Sequence, residues 1–277
     1  MAVLVTGAKG MLGQDLCPIL EDSGYEVIET DRDELDITDK GAVEKFFSEN
    51  KPELIIHCAA YTNVDKAEED LETARLLNAK GAENIAEAAA KNNSVMVYIS
   101  TDYVFGGKVA GSNNEPYKPE DTVNPLNNYG LTKFEGEEAV RKHCEKYYIA
   151  RTSWLYGHHG RNFVETMLSL KDKEELKVVD DQIGCPTWTV ELANGILKLL
   201  EKPFGTYHVC GSGSTSWYGF AKEIFEQSGL EVNLKPCKTE EFPRPAKRPS
   251  YSVMDNAKIC RDWKLALKDY LNLRVEE

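Results

Sequence analysis

The chain opens on a short apolar run, Ala2, Val3, Leu4, Val5 and Thr6. It gives straight into Gly7, Ala8, Lys9, Gly10, Met11, Leu12 and Gly13, and then into a helical pattern through Leu20. A buried strand ending in a glycine turn at a helix N-terminus is the opening unit of sheets whose strands run parallel, with helices as crossovers. The first half of the sequence repeats that unit. Residues 26–30, 52–60, 94–100 and 146–153 read as strands, and 40–50, 63–91 and 129–144 as helices, with Thr38 or Asp39 as an N-cap. This alternation predicts an α/β fold built on a doubly wound parallel sheet of Rossmann type.

From about Trp154 the alternation weakens. Helices are expected at 163–170, 190–200 and 216–227, strands at 176–180 and 206–210, and a proline-rich basic segment at 235–250 before a last helix from about Leu265. We therefore expect a nucleotide-binding domain over residues 1–153 and a smaller mixed α/β substrate-binding domain over 154–277. Segments of 176–210 are free to return to the first sheet. With 277 residues there is ample core for this arrangement.

The formal charge of −13 argues against a nucleic-acid partner, whose backbone needs a basic patch, but permits a small anion held by a few local cations. No apolar run approaches a membrane span, and the opening residues read as a strand rather than a leader. The seven cysteines, at 17, 58, 144, 185, 210, 237 and 260, are scattered without a CxxC pair. Reduced thiols in a cytoplasmic protein are expected, with no disulfide and no zinc site.

The glycine turn points backbone N–H groups and a helix dipole at one spot, a natural phosphate seat. Its spacing is GxxGxxG, not the commoner GxGxxG, so the turn alone does not separate a cofactor site from a structural bend. Asp31, ending the second strand, stands where an acid holds an adenosine ribose diol, while the adjacent Arg32 suits a 2′-phosphate. NADH and NADPH both remain open, with Asp31 tilting the choice toward NADH. Ala59 and Ala60, at a strand tip, allow either a flat ligand or tight helix packing.

A second cluster lies between residues 98 and 133. Ser100 and Thr101 end an apolar strand, and Tyr129 and Lys133 share one helix face four residues apart. A ketone reduction needs a hydride on carbon and a proton on the developing alkoxide. Tyr129 is the expected proton donor, with Lys133 lowering its pKa and Thr101 donating to the same oxygen. Asp102 orients Thr101 or a sugar hydroxyl, or merely caps a turn. Trp154 belongs to the core or stacks on a ligand. In the basic segment Arg248 is the candidate for a diphosphate, with Arg244 and Lys247 as bystanders. The loop at 106–128 is expected to wall the cleft.

These features resemble an extended short-chain dehydrogenase/reductase. The resemblance to the dTDP-4-dehydrorhamnose reductase family spans nearly the whole chain. It is carried by the glycine turn, residues 57–68, the run from Ser100 to Phe105, residues 125–133, Arg151 to Trp154, Asp181 to Thr187 and Arg248 to Ser252. It implies NAD(P)H-dependent reduction of the 4-keto group of a nucleotide-activated deoxysugar, in the last step to dTDP-L-rhamnose. The implied cofactor residues are Gly7, Gly10, Met11, Leu12, Asp31, Arg32, Asp36, Ile37, Ala59, Ala60, Tyr61, Thr62 and Ile99, together with Tyr129 and Lys133. Thr101, Asp102, Tyr103, Trp154 and Arg248 would face the substrate. Alternatives are an epimerase or dehydratase that returns its hydride, or a non-catalytic nucleotide-binding subunit. Some members are metal-bridged dimers, and Asp15 and Glu191 stand near the matching positions. Asp15 is the shorter acid and no clustered ligand spacing occurs, so we expect no metal, and a monomer or homodimer.

Overall fold

The computed structural model describes residues 1–107 and 115–276. Its frame is a six-stranded, wholly parallel sheet. The first half supplies β1 (Ala2–Thr6), α1 (Met11–Asp22), β2 (Glu26–Thr30), α2 (Lys40–Asn50) and β3 (Leu54–His57). There follow α3 (Lys66–Glu69), α4 (Leu71–Arg75), a π-helical stretch at Leu76–Gly81, and α5 (Ala82–Lys91). Then come β4 (Val95–Thr101), α6 (Asn128–His143) and β5 (Tyr147–Thr152).

Strand periodicity explains how the sheet is covered. Val3, Val5, Leu54, Ile56 and Val97 point to a core shared with Leu12 and Leu16 of α1. Their alternates, Leu4, Ile55, Met96 and Tyr98, point to the other face, against Val43, Phe47, Ile85 and Val140. Both faces of every central strand are thus apolar, as a parallel sheet requires. Burying each such aliphatic side chain contributes about 1.5–3 kcal/mol.

Two expected elements differ. The third strand is shorter than residues 52–60, running from Leu54 to His57, with one further bond from Cys58 N–H to Thr6 C=O at 3.1 Å. The expected helix at 63–91 is broken at Asp70, whose side chain accepts from Thr73 N–H at 3.1 Å and starts a new helix. One turn later the π-helical stretch places Asn78 between two segments. Its side chain accepts from Tyr61 N–H (2.7 Å) and donates to Tyr61 C=O (3.1 Å) and Thr132 Oγ1 (3.1 Å). Such widened turns often accompany function.

The second half begins with β6 (Leu155–Tyr156), α7 (Phe163–Ser169), β7 (Leu176–Val179), β8 (Ile183–Gly184) and β9 (Thr187–Trp188). Next, α8 (Thr189–Leu199) packs beside α1, and β10 (Gly205–His208) pairs with β5 as the sixth strand of the sheet. β11 (Thr215–Ser216), α9 (Trp217–Gln227), β12 (Leu234–Cys237) and α10 (Trp263–Glu276) complete the chain. Ser216 caps α9 by accepting from Gly219 N–H at 2.9 Å. Within the proline-rich segment, β12 pairs in parallel with β7. A separate aromatic core joins Tyr156, Trp188, Phe220, Trp263 and Tyr270.

Strand order is β10-β5-β4-β3-β1-β2. The chain therefore turns outward from β1 to β2 and back to β3, and the sheet's switch point lies between the carboxyl ends of β1 and β3. Ligands of such sheets bind at that crevice. Among the described residues, no helix is long and apolar enough to cross a membrane.

Candidate active site

A cleft of about 780 Å³ opens along the carboxyl ends of the strands. Gly7, Gly10, Met11, Leu12, Asp31, Arg32, Asp36, Ile37, Ala59, Ala60, Thr62, Ile99, Tyr129, Lys133 and Trp154 all line it. Tyr61 is not among the lining residues, because its backbone is turned to Asn78. Thr101, Asp102, Tyr103 and Arg248 also stand off the wall, grouped around Tyr129. Cys58 and Ser153, inside segments that carry the resemblance but not singled out as site residues, also line the cleft, and so does Arg161, which lies in no motif and reaches it only through the fold.

The glycine turn fits a dinucleotide. Gly7 has φ +68°, and a Cβ there would stand 2.8 Å from Ala59 N, so only glycine lets the two strand tips approach. Gly10 precedes α1 with no side-chain cap, which leaves the first N–H groups of the helix available to a ligand. At the carboxyl end of β2, Asp31 accepts from Lys9 N–H (3.3 Å) and Arg32 N–H (2.8 Å). Asp36 takes both the hydroxyl and N–H of Thr38, which hold its pKa below the usual range.

Tyr129 and Lys133 are set by α6. Asn127 caps this helix, accepting from Gly130 N–H at 2.8 Å. A Cβ on Gly130 would lie 2.2 Å from Tyr103 C=O, so this glycine seats the helix start against the turn after β4. The Tyr103 and Tyr129 rings meet edge to face with centroids 5.8 Å apart. Lys133 is buried, and its Nζ lies 4.1 Å from the centre of the Tyr98 ring.

The electrostatics overturn one expectation. Lys133 does not bring the Tyr129 phenol down in this structure: burial pushes it up to about 12, a hydrogen bond with Thr101 offsets part of that, and Asp102 adds to the rise. Burial also brings Lys133 down to about 7, against the charge of Glu137. For both groups desolvation outweighs the pair's mutual effect. Tyr129 is accordingly a neutral phenol at neutral pH, which is the form a proton donor needs.

Behind the pair lies a buried ion pair that the sequence did not reveal. Burial disfavours the Glu137 charge, but Arg151 donates Nε (2.8 Å) and Nη2 (2.7 Å) to it and Ser100 Oγ adds a third bond (2.6 Å). Together these hold its carboxyl below the ordinary range. The Ser100 hydroxyl proton is thereby committed to Glu137, although the residue also lines the cleft.

In the turn after β4, Thr101 Oγ1 accepts from Tyr103 N–H at 3.2 Å and lies 3.2 Å from Asp102 Oδ1. Thr101 rather than Asp102 caps the short turn. Ser252 Oγ donates to Asp102 Oδ2 at 2.6 Å. Arg248, expected at a diphosphate, has both Nη atoms on Asp65, one of them also on Ala246 C=O, and contacts Tyr103. Its fork is thus occupied within the protein. Trp154 has φ +46° and stacks on Trp217 with centroids 3.6 Å apart, so the two alternatives for it coincide: it is packed in and still lines the cleft. Part of the loop expected as a cleft wall, residues 108–114, lies outside the described residues.

Neither acid considered for a bridging metal is without a partner. Asp15 accepts from the Thr189 hydroxyl and stands 3.4 Å from His159 Nε2, and Glu191 pairs with Arg261 at 2.6 Å. Elsewhere, Glu83, Glu87 and His143 bring ligand atoms within 4.8 Å of one another, but Lys40, Lys80 and Lys142 already pair with those carboxylates.

Residues 1–274 match the family model described as RmlD substrate binding domain. The chain is 44% identical over 279 residues to the spore coat polysaccharide biosynthesis protein SpsK of Bacillus subtilis, covering 98% of this chain and 97% of that one. A crystal structure of a dTDP-4-dehydrorhamnose reductase from Clostridium acetobutylicum is 50% identical and superposes with a TM-score of 0.95 over 99% of both chains. A dTDP-4-dehydrorhamnose reductase from Bacillus anthracis, solved in complex with NADP, is 42% identical, with a TM-score of 0.93 over 98% of this chain and 99% of that one.

Proposed function

The chain belongs to the RmlD substrate binding domain family, and from that premise we propose that it is an NAD(P)H-dependent oxidoreductase. It reduces the 4-keto group of a dTDP-activated deoxysugar, dTDP-4-dehydro-L-rhamnose, to the alcohol. The observation that carries this reading is the placement of a half-buried Tyr129 and a buried Lys133 together on the wall of a cleft that begins at an uncapped helix N-terminus.

Bound at the glycine turn, the nicotinamide cofactor supplies the hydride. Backbone N–H groups at Met11 and Leu12 are suited to its pyrophosphate, with the Gly10 N–H closing the turn on Gly7 C=O, and Asp31, Arg32, Asp36 and Ile37 are suited to its adenosine half. Tyr129 gives its hydroxyl proton to the sugar oxygen as negative charge develops there. Thr101, donating to the Tyr129 oxygen, stabilises the phenolate left behind. Lys133, when protonated, favours the same phenolate and is positioned to reach a cofactor ribose. Trp154 offers a flat wall to the sugar or base.

Asp31 suits an unmodified ribose, while the Arg32 guanidinium has no hydrogen-bond or ion-pair partner among the described residues and suits a 2′-phosphate. The site therefore takes either cofactor. A dehydratase needs a second acid after the threonine; here Tyr103 follows Asp102, and reduction is favoured. The seven unpaired cysteines suit a reducing compartment such as the cytoplasm.

The test follows NADH and NADPH oxidation with dTDP-4-dehydro-L-rhamnose and a UDP counterpart. One cofactor oxidised per sugar is expected. Turnover of the sugar without net cofactor oxidation would point to an epimerase or dehydratase and overturn the reduction.

A further inference from the structure

Three buried side chains, the adjacent Thr101 and Asp102 and the distant Ser252, form a line behind Tyr129. Ser252 Oγ is 2.6 Å from one oxygen of Asp102, Thr101 Oγ1 is 3.2 Å from the other, and Thr101 in turn bonds to the Tyr129 hydroxyl. Asp102 is 2% exposed, Ser252 2% and Thr101 5%, so water does not replace these partners.

A threonine hydroxyl has one proton and two neighbours here that want it. If Asp102 is ionised, it accepts from both Ser252 and Thr101. Thr101 then turns its lone pairs to Tyr129, whose own proton is drawn into that bond and away from a substrate. If Asp102 is neutral, its O–H donates to Thr101 Oγ1, and the Thr101 hydroxyl is released toward the Tyr129 oxygen. Only the second arrangement frees the phenol proton and stabilises the phenolate that its departure leaves.

We propose that Asp102 is a positioning residue whose proton sets the direction of the Thr101 hydroxyl, with Ser252 anchoring its second oxygen. The proposal rests on the reduction argued above. No proton leaves Asp102 in the step: the hydroxyls rotate, and the proton given to the sugar is that of Tyr129. Burial raises the Asp102 carboxyl to about 6, against the hydrogen bonds from Ser252, Thr101 and two backbone N–H groups, so the neutral form persists to higher pH than in a free carboxyl. The titratable groups that face it are Tyr103 on its own turn, Tyr129 from α6, and Cys210 after β10 with Cys185 behind it. The nearest cation in this group is Arg248, which meets Tyr103 and is neutralised by Asp65.

The switch is read in two ways. In the first, kcat is measured from pH 5 to 9 for wild type, Asp102→Asn and Ser252→Ala. Wild-type kcat is expected to fall as Asp102 ionises. Asp102→Asn, whose amide donates to Thr101 as the neutral acid does, should keep kcat within a few-fold of the low-pH value and lose that fall. Ser252→Ala, which removes a donor to the carboxylate, should move the fall up by about half a pH unit or more. Lys133 is untouched in both variants, so any fall due to its own ionisation stays where it is. A profile identical in all three proteins overturns the proposal. The second reading needs no turnover: the Asp102 carboxyl is titrated by carbon NMR in wild type, Ser252→Ala and Thr101→Val. An upward shift in both variants supports the hydroxyl arrangement, and an unmoved titration in Thr101→Val overturns it. If no keto sugar is reduced, the reduction fails, and this titration still decides the question of Asp102.

Discussion

The ammonium nitrogen of Lys133 lies 4.1 Å from the centre of the Tyr98 ring, and the Tyr98 hydroxyl donates to the Lys133 carbonyl at 3.3 Å. One aromatic side chain thus supports both ends of the lysine residue, its backbone turn and its charge. A cation–π contact compensates part of the cost of burying that charge but not all of it, because the Lys133 pKa is still drawn down to about 7. A lysine whose pKa is lower in the folded state binds fewer protons there than in the unfolded chain between pH 7 and about 10.4. Wild-type stability from this group therefore rises with pH across that window. Lys133→Met should abolish reduction, raise the unfolding free energy by about 2–4 kcal/mol at pH 7, and remove that rise. Denaturant melts at several pH values measure both effects.

Tyr129→Phe keeps the ring against Tyr103 and deletes the proton. Turnover should fall by about 10²–10⁴-fold, with cofactor affinity by calorimetry within a few-fold of wild type. Near-normal turnover would remove Tyr129 from the chemistry.

At the adenosine end the two neighbours should separate by cofactor. Asp31→Ala should weaken NADH more than NADPH, and Arg32→Ala the reverse, each by about tenfold in KM. Equal weakening of both cofactors by Asp31→Ala would take its carboxylate off the ribose.

His57 ends β3 with Nδ1 2.8 Å from Thr6 Oγ1, and its Nε2 has no partner among the described residues. Burial, helped by the charge of Lys133, lowers its pKa to about 3. The unfolded chain therefore takes up a proton near pH 6.5 that the folded one refuses, and stability is lost as pH falls below that value. His57→Asn should lose about 2 kcal/mol less than wild type between pH 7 and pH 5. Equal losses would show that the ring is not what resists acid.

Much of the frame could be read from local pattern. Alternating apolar strands, the glycine turn, Asp39 and Ser216 as caps, and Tyr129 with Lys133 on one helix face are all set by residues within a turn or two of one another. What escaped was long-range. Nothing near Arg151 in the sequence announces that it will be buried on Glu137, and nothing near Arg248 predicts that Asp65 will occupy its fork. Asp102 left three readings open because its decisive partner, Ser252, lies 150 residues away. The expected effect of Lys133 on Tyr129 failed for a different reason: spacing reports proximity, whereas a pKa also depends on how much water the whole fold removes.

The sixth strand has a bearing on how the chain is made. Until Gly205–His208 has been synthesised, β5 is the open border of the sheet, with a row of unpaired N–H and C=O groups. At ordinary translation rates the roughly 50 residues between the two strands take about 3–10 seconds to appear. During that interval the nascent chain carries α6 and most of the cleft-lining strand tips beside an edge able to pair with a neighbouring nascent chain. Chaperone occupancy in ribosome profiling should therefore peak while the segment between β5 and β10 is emerging, and should drop once β10 has cleared the exit tunnel.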